Sequence, residues 1–207
     1  MNLTLYPQLV KKIDSLPKAV SEKRKYLLAP LITYLQKKLE SREKIRLNFI
    51  CTHNSRRSHL SQLWAQTMAS YFGFDNITCY SAGTEATALN HTVIATLEKS
   101  GFQSTQLCSS ENPIYFINYG RNELPVIGFS KTIEHRFNPQ TDFAAIMTCD
   151  SANEACPFVG GADSRIAITY QDPKIYDNTP LETEKYLERS DEIASDMYFV
   201  FSQLKSN

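Results

Sequence analysis

The 207-residue chain has no apolar run approaching the ~18 residues that a membrane helix needs, and its first residues lack the charged, apolar and small-residue zones of a secretory signal. These absences predict a soluble, cytoplasmic protein with no membrane role. Cysteine is sparse and odd in number: Cys51, Cys79, Cys108, Cys149 and Cys156 are too few for a disulfide framework and suit a reducing compartment in which single thiols can react. No histidine follows Cys149 and Cys156 at zinc-site spacing, and no metal site is expected. The net charge is zero, and no basic and aromatic residues interleave as they do in nucleic-acid binders. Internal repeats and low-complexity tracts are also missing.

What is present is 42% hydrophobic residues, enough for one sizeable core and marginal for two. The charge is unevenly spread: residues 1–46 hold 11 of the 22 Lys and Arg against four acids, leaving this segment at +7 and the remainder at −7. A charge bias of this kind is usually a solvated helical face, and less often a docking surface for an acidic partner. Within it, Leu27, Leu28, Leu31, Ile32, Leu35 and Leu39 repeat at three- and four-residue spacings, which predicts an amphipathic helix. The break at Asp14-Ser15-Leu16-Pro17 predicts a shorter helix before it. Residues 1–44 thus read as a helical hairpin appended to a domain over 45–207.

From residue 45 short apolar strands alternate with amphipathic helices. Strands are predicted at 46–50, 77–81, 143–148 and 166–170, and helices at 58–72 and 90–100. A last helix follows Thr179-Pro180-Leu181-Glu182, which has a capping Thr, Pro at the first helical position and Glu three residues after the Thr. Such alternation implies an α/β three-layer sandwich, with a mostly parallel four-stranded sheet between helices and ligands bound beyond the carboxyl ends of the strands. Residues 103–140, rich in Asn, Pro, Ser and aromatics, break the rhythm and read as an irregular or hairpin insertion able to cover the site.

Three stretches carry chemistry. In "CTHNSRRS" (51–58), Cys51 ends the first strand and Ser58 opens the next helix, so Thr52, His53, Asn54, Ser55 and Arg56 form a loop that turns backbone N–H groups and a helix N-terminus toward whatever sits above the sulfur. Arg57, six residues after Cys51, presents a planar fork suited to a tetrahedral oxyanion, and its charge favours the thiolate. Ser58 can donate to that thiolate, and Asn54 can take a left-handed backbone and brace the loop. The Cys-x5-Arg spacing alone arises by chance about once in five such chains, so the flanking strand and helix carry the assignment.

In "MTCDSANEACP", Cys149 follows a strand and Cys156 lies seven residues later; two thiols on a coiled loop can form a disulfide, or can be inert small hydrophobes. In "TYQDPKIYDNTP", Asp172 follows a strand and is pinned by Pro173; it can act as a general acid, although such an Asp is commonly a turn residue.

In this order the features resemble the low-molecular-weight protein tyrosine phosphatase and thioredoxin-coupled arsenate reductase superfamily. "CTHNSRRS" looks like its phosphate-binding loop, "YSAGT" (80–84) like its second-strand segment and "QDP" like its acid loop. The pair Cys149 and Cys156 places the chain nearer the arsenate reductases. The resemblance implies that Cys51 attacks arsenate, that Arg57 and the loop hold its oxygens, and that Asp172 assists departure of water or hydroxide. Cys149 would then attack Cys51 and Cys156 would attack Cys149, with a thioredoxin-like reductant closing the cycle and no bound cofactor. The alternative it implies is a phosphatase acting on phosphotyrosine proteins through a phosphocysteine, with Tyr176 or insertion aromatics touching substrate; a non-enzymatic oxyanion-binding or redox interaction module is the third. Two positions depart from the family pattern: His53 stands where glycine is usual, and Gln62 replaces a glutamate common in the arsenate reductases, which weakens the case for a monovalent cation site.

Overall fold

The computed structural model describes residues 4–205; positions 1–3 of the N-terminal extension lie outside them. Two helices open the chain, α1 (Pro7–Ser15) and α2 (Glu22–Glu40), the second capped by the Ser21 side chain, which accepts the Arg24 N–H. The alternating part then runs β1 (Ile45–Cys51), α3 (Arg57–Tyr71), β2 (Ile77–Gly83) and α4 (His91–Ser100). Gly101 ends α4 at φ 107°, a left-handed position that favours glycine. After it come β3 (Gln103–Gln106), β4 (Tyr115–Asn118) and β5 (Val126–Gly128), then β6 (Phe143–Met147), α5 (Asp150–Ala155), β7 (Ala162–Ala167) and α6 (Glu182–Ser202).

The central sheet has four parallel strands in the order β2-β1-β6-β7, so β1 and β6 are its middle pair. Alternation along the strands splits its two faces. Leu47, Phe49, Ala144 and Ile146 belong to the larger core, together with Leu9 and Ile13 of α1, Leu28, Leu31 and Leu35 of α2, and apolar residues of α3, α4 and α6. Ile50, Ala145 and Met147 face the other way, into a smaller core with Cys51, Cys149 and Ala152. The expected α/β sandwich is therefore present, with its helices unequally divided between the faces. None of the described helices is long and apolar enough to cross a membrane.

Two sequence expectations are corrected in detail. The fourth sheet strand is Ala162–Ala167 rather than 166–170, because Ala162 to Ala167 carry the ladder to β6 while Ile168 and Tyr170 are buried beyond its end. The last helix has no side-chain cap: Leu181 occupies the cap position, and Glu182 instead accepts the Asn178 N–H (2.8 Å) and the Thr92 hydroxyl (2.6 Å). Within residues 103–140, β3, β4 and β5 pair as a separate antiparallel sheet.

Candidate active site

The site is built where β1 and β6 end. Ile50 pairs with Met147, and the Thr148 N–H donates to the Ile50 carbonyl (2.7 Å), so Cys51 and Cys149 leave the sheet side by side from adjacent strands. Cys51 is 4% exposed, and its sulfur lies 3.1 Å from the Ser58 hydroxyl. Asn54 donates to the same hydroxyl oxygen (2.8 Å), which leaves the Ser58 proton free to point at sulfur.

The loop turns over at Asn54, which is left-handed (φ 44°). Its side-chain oxygen accepts the Lys131 N–H (2.9 Å), bracing the turn from the end of the insertion. His53 is not among the positive-φ residues, so replacement of the usual glycine leaves the backbone unstrained. Its carbonyl accepts from Ser130 (2.8 Å) and Thr87 (3.2 Å), and its ring sits 3.6 Å from Glu85. The carbonyl of Thr52 accepts from Glu85 N–H (2.8 Å), and that of Ser55 from Asn90 N–H (3.1 Å). Gly83 of "YSAGT" is required sterically: a Cβ there would sit 2.7 Å from the Asn54 nitrogen and 2.3 Å from the Glu85 carbonyl.

Arg57 lies in the first turn of α3 and reaches across the sheet end. It donates to the Tyr170 carbonyl (2.9 Å) and to Asp172 (2.5 Å). Asp172, the candidate acid of the sequence reading, is a turn residue: its other oxygen accepts the Lys174 N–H (3.0 Å) and caps the short 3-10 turn Pro173–Tyr176. Arg56 goes elsewhere: its guanidinium donates to Tyr186 (2.6 Å) and Asp177 (2.6 Å), so its side chain ties the loop to α6 instead of facing an oxyanion. Asp177 and Tyr186 were missed in the sequence, where the second Asp of "QDPKIYDN" was the available signal.

Cys149 is 1% exposed and caps α5, its sulfur accepting the Ala152 N–H (3.4 Å) and lying 3.5 Å from the Thr52 hydroxyl. Half-buried Cys156 packs on the same core from the other end of α5. The stretch between them is thus a helix where a loop was expected. Cys79 is elsewhere in the core, its thiol pushed far up by burial, and Cys108 is exposed in the insertion. A groove of about 520 Å³ opens beside the loop between His53, Arg56, His91, Tyr115 and Lys174.

Residues 46–114 match the family model of the low molecular weight phosphotyrosine protein phosphatases. A phosphatase of this kind from Vibrio cholerae O395 is similar over 76% of this chain and 95% of its own, at 11% identity and a TM-score of 0.54. The chain shares the fold of the low-molecular-weight phosphotyrosine phosphatases. A low molecular weight protein tyrosine phosphatase from T. tengcongensis aligns over 77% of this chain and 99% of its own length (16% identity, TM-score 0.51). An arsenate reductase in its phosphate-binding state aligns over 78% and 99% (17% identity, TM-score 0.50). No curated protein matches the chain by sequence comparison. The fold is therefore one found both in a phosphotyrosine phosphatase and in an arsenate reductase.

Proposed function

We propose that the protein is an arsenate reductase that works through a cysteine relay, with Cys51 as nucleophile. The observation that carries this reading is the placement of Cys149: it leaves the sheet beside Cys51, sits in the same small core, and has Cys156 packed against that core. A hydrolase needs neither of these two thiols.

In this mechanism the Cys51 thiolate attacks arsenic(V) while Arg57 and the loop amides hold the remaining oxygens, and Asp172 gives its proton to the departing hydroxide, which leaves as water. The Cys149 thiolate then attacks the Cys51 sulfur. The sulfur–arsenic electron pair passes to arsenic, releasing arsenite and leaving a Cys51-Cys149 disulfide. Attack of Cys156 on Cys149 frees Cys51, and a thioredoxin-like dithiol reduces the Cys149-Cys156 bond. The last internal step demands motion. Cys149 and Cys156 cap opposite ends of α5, a span of about 10 Å at the helical rise, whereas disulfide-linked Cα atoms stand within about 7 Å. Helix α5 has six residues, of which only Ala152 is buried, so it is short enough to unwind.

The second reading is a phosphatase. It is favoured by the groove beside the loop, which has room for the body of a phosphorylated side chain. Disulfide mapping after one arsenate turnover without reductant separates the two: the relay gives a Cys149-Cys156 bond. Cys149→Ser should abolish arsenate reduction and spare aryl phosphate hydrolysis. Unmodified thiols after arsenate, or equal loss of both activities, would remove the reductase reading.

A further inference from the structure

Lysine is almost never fully buried without an anionic partner. Lys131, at the end of the insertion, is 1% exposed and the only lysine buried among the described residues, where it has no salt bridge. Its ammonium donates to the Ser81 hydroxyl (3.3 Å) and the Phe129 carbonyl (3.3 Å), and it lies 4.6 Å from the centre of the Phe129 ring. Its main chain is bonded on both sides to the active-site frame. The N–H donates to Asn54 (2.9 Å), and the carbonyl accepts from Gly83 (2.8 Å), which is opposite Cys51 in the strand register. Ser81 precedes Gly83 by two residues, about 7 Å along the strand, so the ammonium lies on the order of 10 Å from the Cys51 sulfur.

We infer that Lys131 is a positioning residue of the oxyanion site, its main chain fixing the Asn54 turn and its ammonium serving as the built-in counter-charge for the Cys51 thiolate and a bound dianion. This rests on Cys51 being the nucleophile of an oxyanion site, and not on whether reduction or hydrolysis follows. A cation held by one hydroxyl, one carbonyl and the faces of Phe129 and Phe137, with no carboxylate, is left to pair with negative charge above the loop. Burial lowers the Lys131 ammonium to about 7, so near neutral pH a fraction of it is uncharged. A dianion restores the charged form by drawing up to one proton from solvent. Two histidines stand near it. His59 of α3, 3.2 Å from Ser81, is held neutral by burial and by Lys131 itself. His135, on the segment that follows, packs against the Phe129 ring, and the β2 partner Ser81 does not titrate.

Sulfate is the suitable probe, being a tetrahedral dianion that does not titrate near neutrality. In Cys51→Ser, where the thiol cannot exchange a proton, calorimetry in two buffers of different ionisation enthalpy just above neutral pH should read proton uptake on sulfate binding. Adding Lys131→Met should remove that uptake and weaken sulfate about tenfold. In the otherwise native chain, Lys131→Met should slow alkylation of Cys51 by iodoacetamide about tenfold at neutral pH, read by peptide mapping. Unchanged sulfate affinity, or uptake that persists without Lys131, overturns the inference. Should Lys131→Met not fold, a Cys51→Ser chain that binds sulfate without proton uptake overturns it alone. A chain that binds no sulfate loses the oxyanion site as well. A protein that takes up the proton but never reduces arsenate would retain this role for Lys131 and lose only the reductase reading.

Discussion

Arg57 donates to Asp172 across 2.5 Å, so the cation proposed to receive the oxyanion and the acid proposed to protonate its leaving group are bonded to each other. An arriving dianion must take the guanidinium fork from this carboxylate, which has to gain a proton as the fork leaves before it can act as the acid. Asp172→Asn should therefore bind phosphate more tightly, by about tenfold, while hydrolysis of an aryl phosphate falls on the order of 10²- to 10⁴-fold. Calorimetry and steady-state rates read the two effects. Weaker phosphate binding would mean that Asp172 orients Arg57 rather than competing for it.

Arg165 of β7 holds the far end of α5. It donates to the Cys156 carbonyl (2.8 Å) and to the carbonyl (2.5 Å) and side-chain oxygen (2.8 Å) of Asn153. If α5 must unwind for Cys156 to reach Cys149, these bonds oppose the step. Arg165→Ala should speed formation of the Cys149-Cys156 disulfide several-fold under a mild oxidant, with Cys51→Ser used to isolate the pair. A slower rate would indicate that the ends of α5 need this anchor to meet.

The N-terminal addition reaches the site through Arg24. From α2 it donates to Asp196 (2.7 Å) and to the Thr169 carbonyl (3.0 Å), and its guanidinium stacks 4.4 Å from the Tyr170 ring centre. Tyr170 in turn donates to Asp196 (3.0 Å) and offers its carbonyl to Arg57. With side chains only 15% and 3% exposed, Arg24 and Asp196 form a buried pair, so Arg24→Ala should cost about 3–5 kcal/mol at neutral pH by leaving a buried carboxylate unpaired. Burial already raises the Asp196 carboxyl, and without Arg24 it rises further. The variant's folded state then takes up a proton as pH falls, which neutralises the unpaired charge, so its deficit in urea unfolding should shrink on acidification. A deficit that grows toward low pH would contradict this origin.

Much of the architecture follows from local pattern, and the misses have physical reasons. Alternating apolar strands and amphipathic helices predict the parallel sheet because each element must bury one face. The edge strand was misplaced because Ile166, Ile168 and Tyr170 carry the apolar signal, while membership of the ladder depends on backbone pairing with β6. Thr179, Pro180 and Glu182 read as a capping motif. In the folded chain, however, Glu182 is drawn to Thr92 of α4, a partner 90 residues away that no local rule can see.

The proposed nucleophile and its loop lie within eight consecutive residues: strand end, left-handed Asn54 and helix start are short-range consequences of "CTHNSRRS", so their local geometry was readable from sequence. What only the tertiary structure decided is which distant groups answer Cys51. Parallel pairing of β1 with β6 puts Cys149 beside it, Arg57 finds Asp172 across 115 residues, Arg56 is diverted to Asp177 and Tyr186, and Lys131 is buried beneath the loop. These relations depend on strand order, register and desolvation, which belong to the folded chain as a whole and leave no trace in residue spacing.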